Sequence, residues 1–153
     1  MKISKPEYGW AAISFDNVKS FNITTHSFTS HCSYLTDVMY DLIEGMINYY
    51  NTITPTMIRF DEEGSNWTLI LTFDKVFIIS ERNTTEIYET NDTIESVTKE
   101  IIENCNKYSD DWVNWNLNLN ETEKKYSKKY YIKRIKFLEE LKNDYERRSN
   151  NDR

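Results

Sequence analysis

The sequence predicts an α+β fold: a mainly antiparallel sheet of about five or six strands in ββαβββ order, covered by helices, with a long C-terminal helix. Three observations carry that expectation. Apolar and polar residues alternate with period two in residues 10–24 and 58–88; helical spacing interrupts and follows those stretches; and the chain after Asn120 is dense in helix formers without Gly or Pro. Aromatic residues reach 14% of the 153, supplying core pieces that disordered chains lack, although hydrophobic residues total only 39%.

Trp10-Ala11-Ala12-Ile13-Ser14-Phe15 and Phe21-Asn22-Ile23-Thr24 alternate on either side of Asp16-Asn17, a good turn pair, and predict a hairpin. Leu35, Val38, Met39, Leu42, Ile43, Met46, Ile47 and Tyr50 then recur three and four residues apart. A helix from Ser33 to about Asn51 follows, with Ser33 as its cap, Asp37 near the positive end of its dipole and Pro55 beyond its end. Ile58 with Phe60, Trp67 to Phe73, and Val76 to Ile79 read as successive strands, turning at Glu63-Gly64-Ser65-Asn66 and at Asp74-Lys75. Val76-Phe77-Ile78-Ile79 is apolar on both faces, which predicts a central position; Glu86-Ile87-Tyr88 predicts an edge strand. Asp92 with Glu95 reads as a cap for a second helix carrying Ile94, Val97, Ile101, Cys105 and Tyr108, which would cover the sheet. Residues Trp112 to Asn120 predict a short helix and an extended stretch. Asn120 with Glu123 then caps a helix reaching about Arg148. Its narrow seam of Tyr131, Ile135, Leu138, Leu141 or Lys142, and Tyr145 needs a surface to cover it, in this domain or in another chain, so a homodimer through the C-terminal helix stays open, and with it the alternative of a structural or adaptor protein that self-associates there and contacts RNA. Residues 1–120 therefore read as an α+β domain, and 121–153 as a basic helix with a frayed tail packed on it.

Charge is divided along the chain. Residues 1–120 hold 8 Lys and Arg against 18 Asp and Glu, a net −10, whereas 121–153 hold 11 against 7, a net +4. The acidic body disfavours nucleic acid and anionic membrane as its partners and favours a basic protein, because complementary fields steer encounter. In the tail, Lys124, Lys125, Lys128, Lys129, Lys133, Arg134 and Lys136 interleave with Tyr126, Tyr130 and Tyr131, the composition of a nucleic-acid arm. No RNP, KH or helix-turn-helix signature accompanies it, so tyrosines docked on the domain with lysines in water are the expected arrangement. No apolar run nears the roughly 18 residues a membrane span requires, and the opening MKISKPEYGW lacks an apolar core, so a cytoplasmic protein is expected. Cys32 and Cys105, with no CxxC spacing, then read as reduced thiols.

Neither catalytic, metal nor cofactor chemistry finds a constellation in the sequence, and the chain is not expected to be an enzyme. His26, His31 and Cys32 are too few for a zinc site, and a His adjacent in sequence to Cys32 points away from it rather than activating it. Gly9, Gly45 and Gly64 are the only glycines and form no phosphate loop. Asp61-Glu62-Glu63 and Asp110-Asp111 sit on polar turns, where both members of a pair stay ionised. The carboxylates suit recognition instead. Asp37, Asp41 and Glu44 stand one turn apart on the polar helix face, and with Asp61, Glu62 and Glu63 they would make one acidic patch wherever the two clusters adjoin. Trp67 and Trp112 are candidate anchors for affinity.

Ser33-Tyr34-Leu35-Thr36-Asp37 followed by Asp41-Leu42-Ile43, then Ile58-Arg59-Phe60-Asp61-Glu62-Glu63 before Trp67, resembles a pattern in small bacterial proteins of polymorphic toxin systems, some of them similar to immunity proteins of contact-dependent growth inhibition. The likeness spans about residues 9 to 81 and departs at the turn, where Glu63 precedes Gly64 directly instead of forming Glu-Pro-Gly. The resemblance implies a non-enzymatic protein that neutralises a cognate toxin, in many cases a basic nuclease, by covering its active site or a neighbouring surface.

Overall fold

A computed structural model of the chain describes residues 1–20, 27–73, 75–115 and 118–151. In chain order the elements are β1 (Lys2–Ile3), β2 (Trp10–Asp16), β3 (Lys19–Ser20), β4 (Ser27–Ser33), α1 (Val38–Thr52), β5 (Thr56–Asp61), β6 (Asn66–Leu71), β7 (Val76–Glu81), β8 (Thr85–Glu89), α2 (Ile94–Lys107), α3 (Ser109–Trp115) and α4 (Glu121–Asn151). The architecture is α+β. One antiparallel sheet has the order β1-β2-β4, and a second, five-stranded, has the order β3-β8-β7-β6-β5.

The first sheet departs from the expected hairpin. β2 pairs with β4, from Trp10 opposite Ser33 to Asp16 opposite Ser27; the expected strand Phe21–Thr24 falls outside the described residues. β4 carries His31 and Cys32, in a segment where the sequence predicts no strand. Its inward row is Phe28, Ser30 and Cys32, and a buried serine in that row conceals the alternation that marks a strand.

Ser33 ends β4 and does not cap α1. That role belongs to Asp37, whose carboxylate accepts from the Tyr40 amide at 3.2 Å. The buried face of α1 holds Val38, Met39, Leu42, Ile43, Met46 and Ile47, as the spacing predicts. Gly45 on this helix lets β5 approach closely: a Cβ there would overlap the Ile58 side chain.

β5 to β8 run as a meander whose loops are short. Glu62 and Ser65 close the first loop (N to O, 2.9 Å), with Glu63 and Gly64 between them at φ +56° and +128°. Two-residue hairpins favour turns with positive φ in the loop, so Glu63-Gly64 turns the chain without a proline. Thr72 and Lys75 close the next loop, one residue earlier than Asp74-Lys75 would place it.

α2 opens on a capping box of Thr93 and Ser96, in place of the expected Asp92 and Glu95; Asp92 instead binds the N-terminal ammonium of Met1 and the Ser96 hydroxyl. α3 confirms the short helix around Trp112, whose indole N–H donates to Asn104 at 2.8 Å. Asn120 and Glu123 cap α4 reciprocally. The seam of α4 is used within the chain: Tyr131, Ile135 and Leu138 are buried in the common core between α1 and α2, each side chain contributing on the order of 1.5–3 kcal/mol of burial. A dimer through that seam requires α4 to leave the body.

Candidate functional site

The six carboxylates proposed as one acidic patch divide into internal and free groups. On α1, the Tyr131 hydroxyl of α4 donates to Asp37 at 2.8 Å, in addition to the cap. Burial raises the Asp37 pKa, opposed by those hydrogen bonds. Glu44 receives Arg134 through two nitrogens and the Tyr130 hydroxyl. Burial pushes its carboxyl up, but Arg134 and Tyr130 outweigh that and hold it below the ordinary value. These two acids fasten α4 to α1. Between them, Asp41 has no side-chain hydrogen bond or ion pair among the described residues; burial and then the charge of Asp37 push it up to about 6.

The second cluster sits at the β5–β6 turn. Glu62 takes the Arg82 guanidinium at 2.9 and 3.1 Å, the Ser65 hydroxyl at 2.8 Å, the Ser30 hydroxyl and the His31 amide. Burial works to raise its carboxyl, and the hydrogen bonds from Arg82, Ser30 and Ser65 overcome it, leaving the pKa at about 2. Arg82 also donates to the Thr29 carbonyl at 2.8 Å and lies over the Phe28 ring, so this ion pair clamps the β7–β8 turn to β4 and ties the two sheets together. Asp61 accepts from the Glu63 amide at 2.6 Å and shapes the turn. Among the described residues no hydrogen bond or ion pair joins this cluster to the α1 acids. Of these acids, Asp41, Asp61 and Glu63 have neither an ion pair nor a contact to another element among the described residues, Asp61 accepting only within its own turn.

Trp67 is core, not an accessible anchor. It has no exposed surface, stacks on Phe60 at 4.4 Å and meets Phe15 and Phe28 edge-on or tilted, joining the two sheets. Trp112 is likewise buried, against Trp115.

The surface that the sequence reading missed is the outer face of the five-stranded sheet. Register places Met57, Ile70 and Phe77 in one cross-strand row and Thr68, Ile79 and Ile87 in the next. Met57 is 65% exposed and Ile87 41%, Ile70, Phe77 and Ile79 are half-buried, and Thr68 between them is buried. Ion pairs Arg59–Glu81 and Lys75–Glu89 border the rows, while Asp61 extends the β5 outer row and Glu63 follows in its turn. An apolar centre with a charged border has the anatomy of a protein-binding face. The signal was present in Val76-Phe77-Ile78-Ile79, whose strand β7 holds the central position its apolar residues predict, with Val76 and Ile78 buried and Phe77 and Ile79 on the outer face.

Both cysteines are free and buried, and burial raises each thiol to about 12, far from a reactive thiolate. Among the described residues no three His, Cys, Asp or Glu side chains gather as metal donors, and no helix is long and apolar enough to cross a membrane. Comparison with protein-family models, curated proteins and solved structures finds no match for this chain.

Proposed function

We propose that this chain is a non-enzymatic binding protein that neutralises a basic toxin domain, and that the outer face of β5 to β8 receives it. The observation that carries the reading is the in-register apolar face, Met57-Ile70-Phe77 beside Ile79-Ile87, open to solvent and flanked at one end by the carboxylates Asp61 and Glu63. The net −10 of residues 1–120 supports it, because that field attracts a cationic partner, while the motif resemblance supports a toxin as the class. Apolar side chains at the centre would supply affinity and the acids at the rim association rate.

The test couples capture to growth. Wild-type chain used as bait should retain a basic protein that arrests growth when expressed alone and is tolerated when this chain is co-expressed. Met57→Glu/Ile87→Glu should lose both capture and protection with the melting temperature unchanged, since both side chains face water. Full protection by that double variant would exclude the sheet face; capture of a harmless protein would exclude neutralisation.

A further inference from the structure

The cations of α4 are segregated by partnership. Lys124 pairs with Glu121, Lys128 with Asp110, Arg134 with Glu44, Lys142 with Glu146 and Arg147 with Asp144. Lys125, Lys129, Lys133 and Lys136 have no such partner among the described residues, and their spacing of four, four and three residues places them on one solvent-facing stripe. Successive lysines rise about 6 Å along the helix, and the stripe spans roughly 16 Å. Two exposed side chains flank it, Tyr126 at 68% and Ile132 at 59%. At its far end a shallow groove of about 360 Å³ is lined by Lys133, Arg134, Lys136, Phe137 and Glu140, with the Arg134 guanidinium 5.5 Å from the Phe137 ring centre.

We infer that this stripe binds single-stranded nucleic acid, its four lysines meeting successive phosphates while Tyr126 and the Arg134-Phe137 groove take bases. Cations spaced along a line suit a phosphate backbone, and an aromatic ring or guanidinium plane suits a base of any sequence. An acidic partner helix docking here as a coiled coil would need apolar residues three and four apart on α4, whereas Tyr126 and Ile132 stand six apart. A membrane or a duplex is broad and would meet the acidic body beside α4, while a single strand can follow the helix alone. Charge disfavours nucleic acid for the acidic body alone, and the paired and unpaired lysines separate the helix from that body.

Fluorescence anisotropy with the full chain and a labelled oligouridylate of about twelve nucleotides tests this. Four phosphate contacts predict a log K against log salt slope of about −2.8, and Lys129→Gln/Lys133→Gln should halve it. Lys129→Arg/Lys133→Arg should keep the slope, which separates charge from folding. Tyr126→Ala should weaken binding about tenfold with the slope unchanged. An unchanged slope in the glutamine variant, equal affinity for poly-glutamate, or binding only to anionic vesicles would overturn the proposal. Met57→Glu/Ile87→Glu should leave oligonucleotide binding intact, so this result and that of the sheet face are read independently.

Discussion

Single carboxylates in this chain have opposite relations to folding. Glu62 is held at about 2 in the folded protein, so the stability it contributes is present above the ordinary glutamate value of 4.5 and is lost as pH falls from there through about 2. Glu62→Gln should cost roughly 1.5–3 kcal/mol at neutral pH, seen in chemical denaturation, and the gap from wild type should close as the solution is acidified toward pH 2. Asp41 has the reverse sign. Its raised value of about 6 means that stability is greatest below the ordinary 3.8 and falls as pH rises through 6. Asp41→Asn should therefore raise the melting temperature at pH 7.5, by roughly 3 °C for each kcal/mol relieved, and leave it unchanged near pH 3.5; a lower value at neutral pH would contradict this account of Asp41. All six carboxylates were visible in the sequence, but their roles were not. Whether an acid is a clamp or a free charge depends on Arg82 and Arg134, which lie 20 and 90 residues away and give no local signal.

At the scale of elements, helices with a clear stripe and strands with alternating side chains were legible, because both periodicities come from local geometry. β4 was not, since Ser30 occupies an inward position. Nor was the distance between α1 and β5. Gly45 is a poor helix former, and its place in α1 is explained by contact with Ile58. Gly45→Ala should destabilise the protein by about 1–3 kcal/mol despite alanine's better helix propensity, because the added methyl meets a side chain in a filled core. A gain in stability would show that Ile58 yields readily. The docking of α4 depends on Glu44 as well as on its apolar seam. Glu44→Ala leaves Arg134 and Tyr130 without their acceptor, and hydrogen exchange should quicken in α4 more than in β5 to β8.

Over the whole molecule, structure sharpens the charge division read from the sequence. The basic helix lays its apolar seam on the acidic body and pairs Lys128 and Arg134 with it, leaving a lysine stripe on one side, while the body's second sheet turns an apolar face to water on another. That open face could not be read from sequence, because an apolar row covered by a helix and one awaiting a partner look the same until the helices are placed. Reversing the exposed rim acid, Glu63→Lys, should slow association with a basic partner and flatten its salt dependence while sparing the melting temperature; unchanged kinetics would remove this acid from the interface. The most direct measurement is oxidative footprinting of Met57 with and without the growth-arresting protein that the proposed function expects the chain to capture. Met57 is 65% exposed, whereas Met39 and Met46 are fully buried, so its sulfoxide reports on the sheet face. Strong protection of Met57 in the complex is the predicted result; oxidation at the free protein's rate, with the complex intact, would contradict the claim that this face receives the partner.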